Sequence, residues 1–138
     1  MKQKISRGYR NCNPGNIRAN SDIYQGEVLP SKDGAFKQFK TMAYGYRAMF
    51  VLLSTYSRRR GCKTIETMLH RYAPATENKT EAYISAVCQA TGIDRHTELN
   101  VDDRATMAAV VAAMSAVENG VPADMADVLT GWKMYVNR

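Results

Sequence analysis

The stretch Met107-Ala108-Ala109-Val110-Val111-Ala112-Ala113-Met114-Ser115-Ala116-Val117-Glu118-Asn119-Gly120 decides how the rest of the chain is read. Its apolar residues Met107, Val110, Val111, Met114 and Val117 recur at helical spacing, and the Asn-Gly pair closes the run. On a helical wheel with Met107 at zero, Val111 falls at ~40°, Met114 at ~−20° and Val110 at ~−60°. Glu118 falls at ~20°, in the middle of the apolar stripe. A carboxylate there is disfavoured by burial and repelled by the negative end of the helix dipole. Both effects raise its pKa, and a carboxyl group still protonated near neutral pH is what general-acid chemistry needs. The alternative is that the last turn has left the core and Glu118 faces water.

Outward from this helix, the pattern is mostly helical. Its N-terminus lies near Asp102-Asp103. Pro122 opens a following helix with Met125, Val128, Leu129 and Trp132 on one face. Upstream, residues 78–90 read as a helix with Ile84, Val87 and Cys88 inward and Thr91-Gly92 as its end. Thr64 caps a short helix carrying Ile65, Met68, Leu69 and Tyr72, which Ala73-Pro74 stops. Residues 42–58 form an amphipathic helix through Gly45, Met49, Leu52, Leu53 and Tyr56. It ends in Arg58-Arg59-Arg60-Gly61, cations that complement a helix C-terminus or meet a polyanion.

The first 22 residues read as irregular. Arg10-Asn11-Cys12-Asn13-Pro14-Gly15-Asn16-Ile17-Arg18 concentrates turn formers and implies a tight turn of defined shape. Residues 23–28 and 35–40 are strand-like runs around Leu29-Pro30-Ser31-Lys32-Asp33-Gly34, which predicts one small hairpin. The expected fold class is α+β, mostly α, with one β-hairpin, in a single domain over residues 1–138.

At 138 residues the chain is one domain's worth of sequence, and its 45% hydrophobic and 23% charged residues are an ordinary globular balance. No apolar run reaches the ~20 residues of a membrane span, so membrane insertion is not expected. The basic start lacks an apolar stretch behind it, which predicts no secretory signal. Three scattered cysteines argue against a disulfide framework and for synthesis in a reducing cytoplasm. The net charge of +6 draws the chain to polyanions: nucleic acid, bacterial wall or anionic membrane surface. No helix carries a line of Arg and Lys for a groove, which disfavours DNA.

Cys88 reads as core, and neither His70 nor His96 stands in a nucleophile motif, against a cysteine peptidase. Cys62 with His70 has no second pair, so no zinc site is expected, and no Gly-rich loop cradles phosphate. No cofactor is implied.

The segment Ala113-Met114-Ser115-Ala116-Val117-Glu118-Asn119-Gly120 resembles the catalytic segment of the lysozyme-like superfamily: goose-type lysozymes, soluble lytic transglycosylases and cell-wall glucosaminidases. There an apolar helix ends in the catalytic Glu, a small polar residue, often Ser, and Gly. Asn119 takes the place of that Ser. Asn11-Cys12-Asn13-Pro14-Gly15-Asn16-Ile17-Arg18 is similar to the turn that follows the Glu helix in the glucosaminidases. Glu77-Asn78-Lys79-Thr80-Glu81-Ala82-Tyr83-Ile84-Ser85-Ala86-Val87 resembles the transglycosylase helix whose Tyr lies beside the Glu, with Tyr83 at that position. In those families the Glu comes first; here it comes last, which implies a circular permutation. The whole chain also resembles small phage- and prophage-encoded proteins sharing Asn-Pro-Gly-Asn-Ile-Arg, Ala-Pro-x-x-Glu-Asn-x-Thr and the late Glu-Asn-Gly.

The resemblance implies cleavage of peptidoglycan glycan strands, by a lytic transglycosylase, muramidase or glucosaminidase. Glu118 would be the general acid and Tyr83 its companion. Asn13, Asn16 and Arg18 would line the substrate cleft, the alternative being a turn bonded to itself, with Tyr72 and Asn78 as fainter contributors. A hydrolase also uses a second carboxylate as a rule. Asp22, Glu27, Glu77 and Glu81 are available, none in a motif. Such a protein reaches the wall by lysis, in a virion or through export. The competing expectation is a non-catalytic phage structural or polyanion-binding protein on the same fold.

Overall fold

The computed structural model describes residues 5–73 and 77–138, the side chains of residues 77 and 78 excepted. Among them are six helices: α1 (Arg7–Arg10), α2 (Met42–Arg60), α3 (Ile65–Tyr72), α4 (Glu77–Thr91), α5 (Arg104–Asn119) and α6 (Met125–Val136). The mostly helical class is as the periodicity predicts. Most boundaries follow local cap chemistry. Thr41, Thr64, Asp103 and Asp124 each accept a backbone N–H of the first turn. Gly61 and Gly120 end α2 and α5 with φ of 68° and 71°, a conformation that costs glycine least.

The stretch expected to be irregular contains α1, a single turn capped by Ser6, too short to leave a periodic trace. α6 begins three residues after Pro122.

α2 is the central post. Tyr46, Ala48, Met49, Phe50 and Leu53 are buried on it. Its most extensive partner is α6, and α4 packs chiefly on α5. Gly131 sets the α2–α6 approach: a Cβ there would lie 2.8 Å from the Ala43 carbonyl and 2.9 Å from the Arg47 nitrogen. The buried face of α6 therefore centres on Val128, Gly131, Trp132 and Tyr135, with Trp132 edge-on to Phe50 at 5.1 Å. Met125 and Leu129, expected inward, stand outside at 43% and 44% exposure. Leu52 and Tyr56, also expected in the core, are half-buried. Val117, the end of the α5 stripe, is exposed.

Among the described residues no strand ladder forms where a hairpin was expected. Residues 26–28 and 38–40 meet at a single antiparallel bridge, Glu27 with Phe39, and residue 36 bridges separately to Arg18. Side chains compete for the backbone here. Asp33 Oδ1 accepts the amides of Ala35 and Phe36, and Ser31 Oγ donates to the Phe36 carbonyl. A buried ion pair pins the segment instead: Lys37 Nζ lies 3.0 Å from Glu27 Oε1 and also donates to the Asp22 carbonyl. Among the described residues, no helix is long and apolar enough to cross a membrane.

Candidate functional site

Glu118 occupies the last turn of α5, after the buried residues Val111, Met114 and Ser115. Ser115 shares a buried 2.8 Å hydrogen bond with Tyr46, which fixes the end of α5 against α2. Past Ser115 the helix runs clear of the core, and the N-terminal turn folds over it. Asn119 makes the clip. Its Nδ2 donates to the Pro14 carbonyl at 2.8 Å and to the Ser115 carbonyl at 2.9 Å, while its Oδ1 accepts from Ser6 Oγ at 2.7 Å. The departure from Ser at this position thus has a structural use.

The turn is held from within by Asn13. Its side chain donates to the carbonyls of Ile17 and Lys37 and accepts the Ile17 amide. It is fully buried, so Asn13 shapes the turn and stands back from the cleft it was expected to line. Asn16 has φ of 48°, a left-handed conformation that Asn tolerates, and its Nδ2 donates to Glu118 Oε1 at 2.9 Å.

Burial pushes the Glu118 carboxyl above its ordinary value, and hydrogen bonding from Asn16 and Tyr83 pulls partly back. Glu118 is half-buried: the last turn has left the core, as the alternative had it, but the N-terminal turn shields the carboxyl from open water. Tyr83 is buried on α4, with its hydroxyl 3.4 Å from the Met114 carbonyl. Burial first, then the charges of Tyr72 and Glu118, raise its pKa well above the usual phenol range. Tyr72 closes α3 and donates to the Gly15 carbonyl. A Cβ on Gly15 would strike that hydroxyl.

Two clefts meet at Glu118. The first, of about 530 Å³, is walled by Asn16, Arg18, Tyr56, Arg71, Tyr72 and Glu118. The second, of about 410 Å³, is walled by Lys79, Thr80, Tyr83 and Val117. The clefts share Ala73 and Glu118. The structure thus brings together Glu118, Tyr83, Asn16, Arg18 and Tyr72. The side chain of Asn78 lies outside the described residues. Arg71, Tyr56 and the Asn119 clip were not singled out from the sequence. The Arg71–Tyr56 contact joins two helices and leaves no local signal.

The other acids are engaged elsewhere. Glu27 is in the buried pair with Lys37, Glu81 is forked by Arg95 with both bonds at 2.8 Å, and Asp22 borders a neighbouring hollow with Arg60 and His70. The Glu77 side chain lies outside the described residues. Among the described residues, Glu118 is the sole acid on either cleft, and no group of three metal-ligating side chains forms. Cys12, Cys62 and Cys88 are all free thiols.

No protein-family model matches the chain. It is 42% identical over 120 residues to Protein P5 of Pseudoalteromonas phage PM2, a match covering 85% of this chain and 73% of the phage protein. An identity of that level over most of both chains makes this protein a member of the Protein P5 family.

Proposed function

We propose that the protein cleaves the glycan strands of bacterial peptidoglycan, with Glu118 as general acid, on a circularly permuted lysozyme-like framework. The observation that carries this reading is the placement of Glu118. It is a half-buried carboxyl with a raised pKa where two clefts join, oriented by the Asn16 amide and flanked by Tyr83. A polymer lying through both clefts would present its scissile bond to that carboxyl. The juxtaposition of the Asn13–Arg18 turn, the Tyr83 helix and the Glu118 helix supports the permutation, because these segments resemble their counterparts in a different chain order.

In the proposed reaction Glu118 gives its proton to the glycosidic oxygen, the C–O bond to the anomeric carbon breaks, and positive charge develops on the sugar. The carboxylate left behind then takes a proton from the attacking hydroxyl. Among the described residues Glu118 is the one acid on the clefts, which favours attack by the sugar's own 6-hydroxyl, closing a 1,6-anhydro ring, over water activated by a second carboxylate. Tyr83 steadies the carboxyl, and Asn16, Arg18 and Tyr72 wall the glycan. The family's phage member favours a setting in lysis, wall penetration or delivery to another cell.

Mass spectrometry of products from purified peptidoglycan tests this. Wild type is expected to release fragments with anhydro-muramic ends, and Glu118→Gln is expected to fold and release at least 10³-fold less. Equal release by both proteins rejects Glu118 as the acid. No release by folded wild type across pH and salt favours a non-catalytic binding or structural role.

A further inference from the structure

Among the described residues, the larger cleft carries two cations, and neither is paired with its one acid, Glu118. Arg18 reaches it from the N-terminal turn and Arg71 from the last turn of α3. Neither guanidinium makes an ion pair or a hydrogen bond to a carboxylate among the described residues. Arg7, Arg58 and Arg95 by contrast each hold an Asp or Glu. Each of the two lies against an aromatic ring. Arg18 is 5.3 Å from the Phe36 ring centroid, and Arg71 is 5.5 Å from that of Tyr56. Such contacts hold a guanidinium in place through its face and leave its N–H edge free to bind. Phe36 and Tyr56 are themselves cleft walls. Among the described residues the acid there is Glu118, which burial disposes toward its neutral form.

We infer that this cleft selects a glycan that bears carboxylates, with Arg18 and Arg71 as its specificity-determining residues. This inference rests on the glycan-cleaving reading. A guanidinium edge matches a carboxylate with two parallel N–H···O bonds, and two such edges in one cleft favour a chain with repeated negative substituents over a neutral polysaccharide. In peptidoglycan the carboxylate comes either from the lactyl ether on the sugar or from the peptide stem. A nucleic-acid backbone would be drawn by the same charge. The glycan is favoured because the same cleft holds Glu118, the acid on which the cleavage reading rests, and the oligonucleotide probe below tests the alternative.

The test is binding by Glu118→Gln protein, which leaves the strand uncut, to four probes by calorimetry at two salt concentrations. The probes are glycan strands with peptide stems, strands stripped of stems by an amidase, stripped strands with the lactyl carboxylates reduced to alcohols, and a single-stranded oligonucleotide. The reduced strands are expected to bind about 10-fold more weakly than the strands carrying the recognised carboxylate. Comparing stemmed with stripped strands shows which carboxylate that is. Arg18→Gln and Arg71→Gln, introduced into the same protein, are each expected to remove several-fold of that preference, weakening the charged strands more than the reduced ones. Raised salt is expected to narrow it.

Equal affinity for charged and reduced strands overturns the inference, as do arginine variants that weaken both alike or an oligonucleotide that binds tightest. Cleavage of peptidoglycan by wild type without a charge preference leaves the glycan-cleaving reading standing and removes this one. A charge preference without cleavage does the reverse.

Discussion

Glu118 carries a stability penalty along with its proposed role. Burial raises the pKa of this carboxyl above its ordinary value, so between those two values the folded chain binds a proton that the unfolded chain has lost. Stability contributed by the neutral carboxyl is therefore complete at low pH and is lost as pH rises through the raised value. Glu118→Gln keeps an oxygen for Asn16 and removes the charge. Its melting temperature is expected to exceed that of wild type by a few degrees at pH 7, with the gap closing toward pH 3. A thermal-melt series across pH reads this, and a gap independent of pH contradicts it. Glu118 was legible in the sequence because a helical wheel needs only local spacing. The inward turn of Asn13 was not. Its three bonds reach Ile17 and Lys37, and the second partner is 24 residues away. A turn rich in asparagine does not reveal which amide faces a ligand and which is sealed inside.

At the scale of the helices, caps were readable and faces were readable only in part. Thr64, Asp103, Gly61 and Gly120 act through atoms within a few residues of themselves, so their types mark the boundaries. The inward face of α6 depends on Gly131 meeting the backbone of α2, a contact across more than eighty residues that no periodicity encodes. The exposed Met125 and Leu129 follow from that choice of face. Gly131→Ala is expected to force the helices apart, because the obstructing atoms are the backbone of Ala43 and Arg47 and cannot rotate away. The cost is about 1–3 kcal/mol, typical of overpacking. Urea unfolding is expected to show a lower midpoint with an unchanged slope. A variant as stable as wild type shows that the helix contact yields. The short pairing where a hairpin was expected belongs at this scale too: residues 23–28 and 35–40 have strand-like composition and meet at one bridge, but Ser31 and Asp33 take the hydrogen bonds a longer ladder would need.

For the molecule as a whole, the segment from Ser6 to Asn16 and the end of α5 form one unit. Asn16 meets Glu118 and Asn119 meets Pro14, pairs separated by 102 and 105 positions. Asn119→Ala leaves the Pro14 carbonyl and the Ser6 hydroxyl without their partner and is expected to cost about 1–3 kcal/mol. It is also expected to loosen the amide that orients Glu118, so peptidoglycan cleavage falls more than stability alone explains. Asn119→Ser, the residue common in the resembling families, is too short for both bonds and is expected to fall between wild type and Ala. Denaturation and cleavage rates measured on the same three proteins decide this; an Ala variant equal to wild type in both removes the clip from the account. The mostly helical class was open to sequence reasoning because each helix is patterned on its own. The meeting of the two ends was approached only through resemblance, since no local rule pairs residues a hundred apart.

The same separation imposes an order in time. As the chain leaves a ribosome, the Asn13–Arg18 turn comes out before α2, α3 and α4, and the carboxyl emerges about a hundred residues after the amide that will orient it. In the families it resembles, the acid is made ahead of its surroundings. Here a chain broken off between α4 and Glu118 has the cleft walls of the turn, α2 and α3 but no acid, so such a copy is expected to be inert toward the polymer that a finished one is proposed to cut.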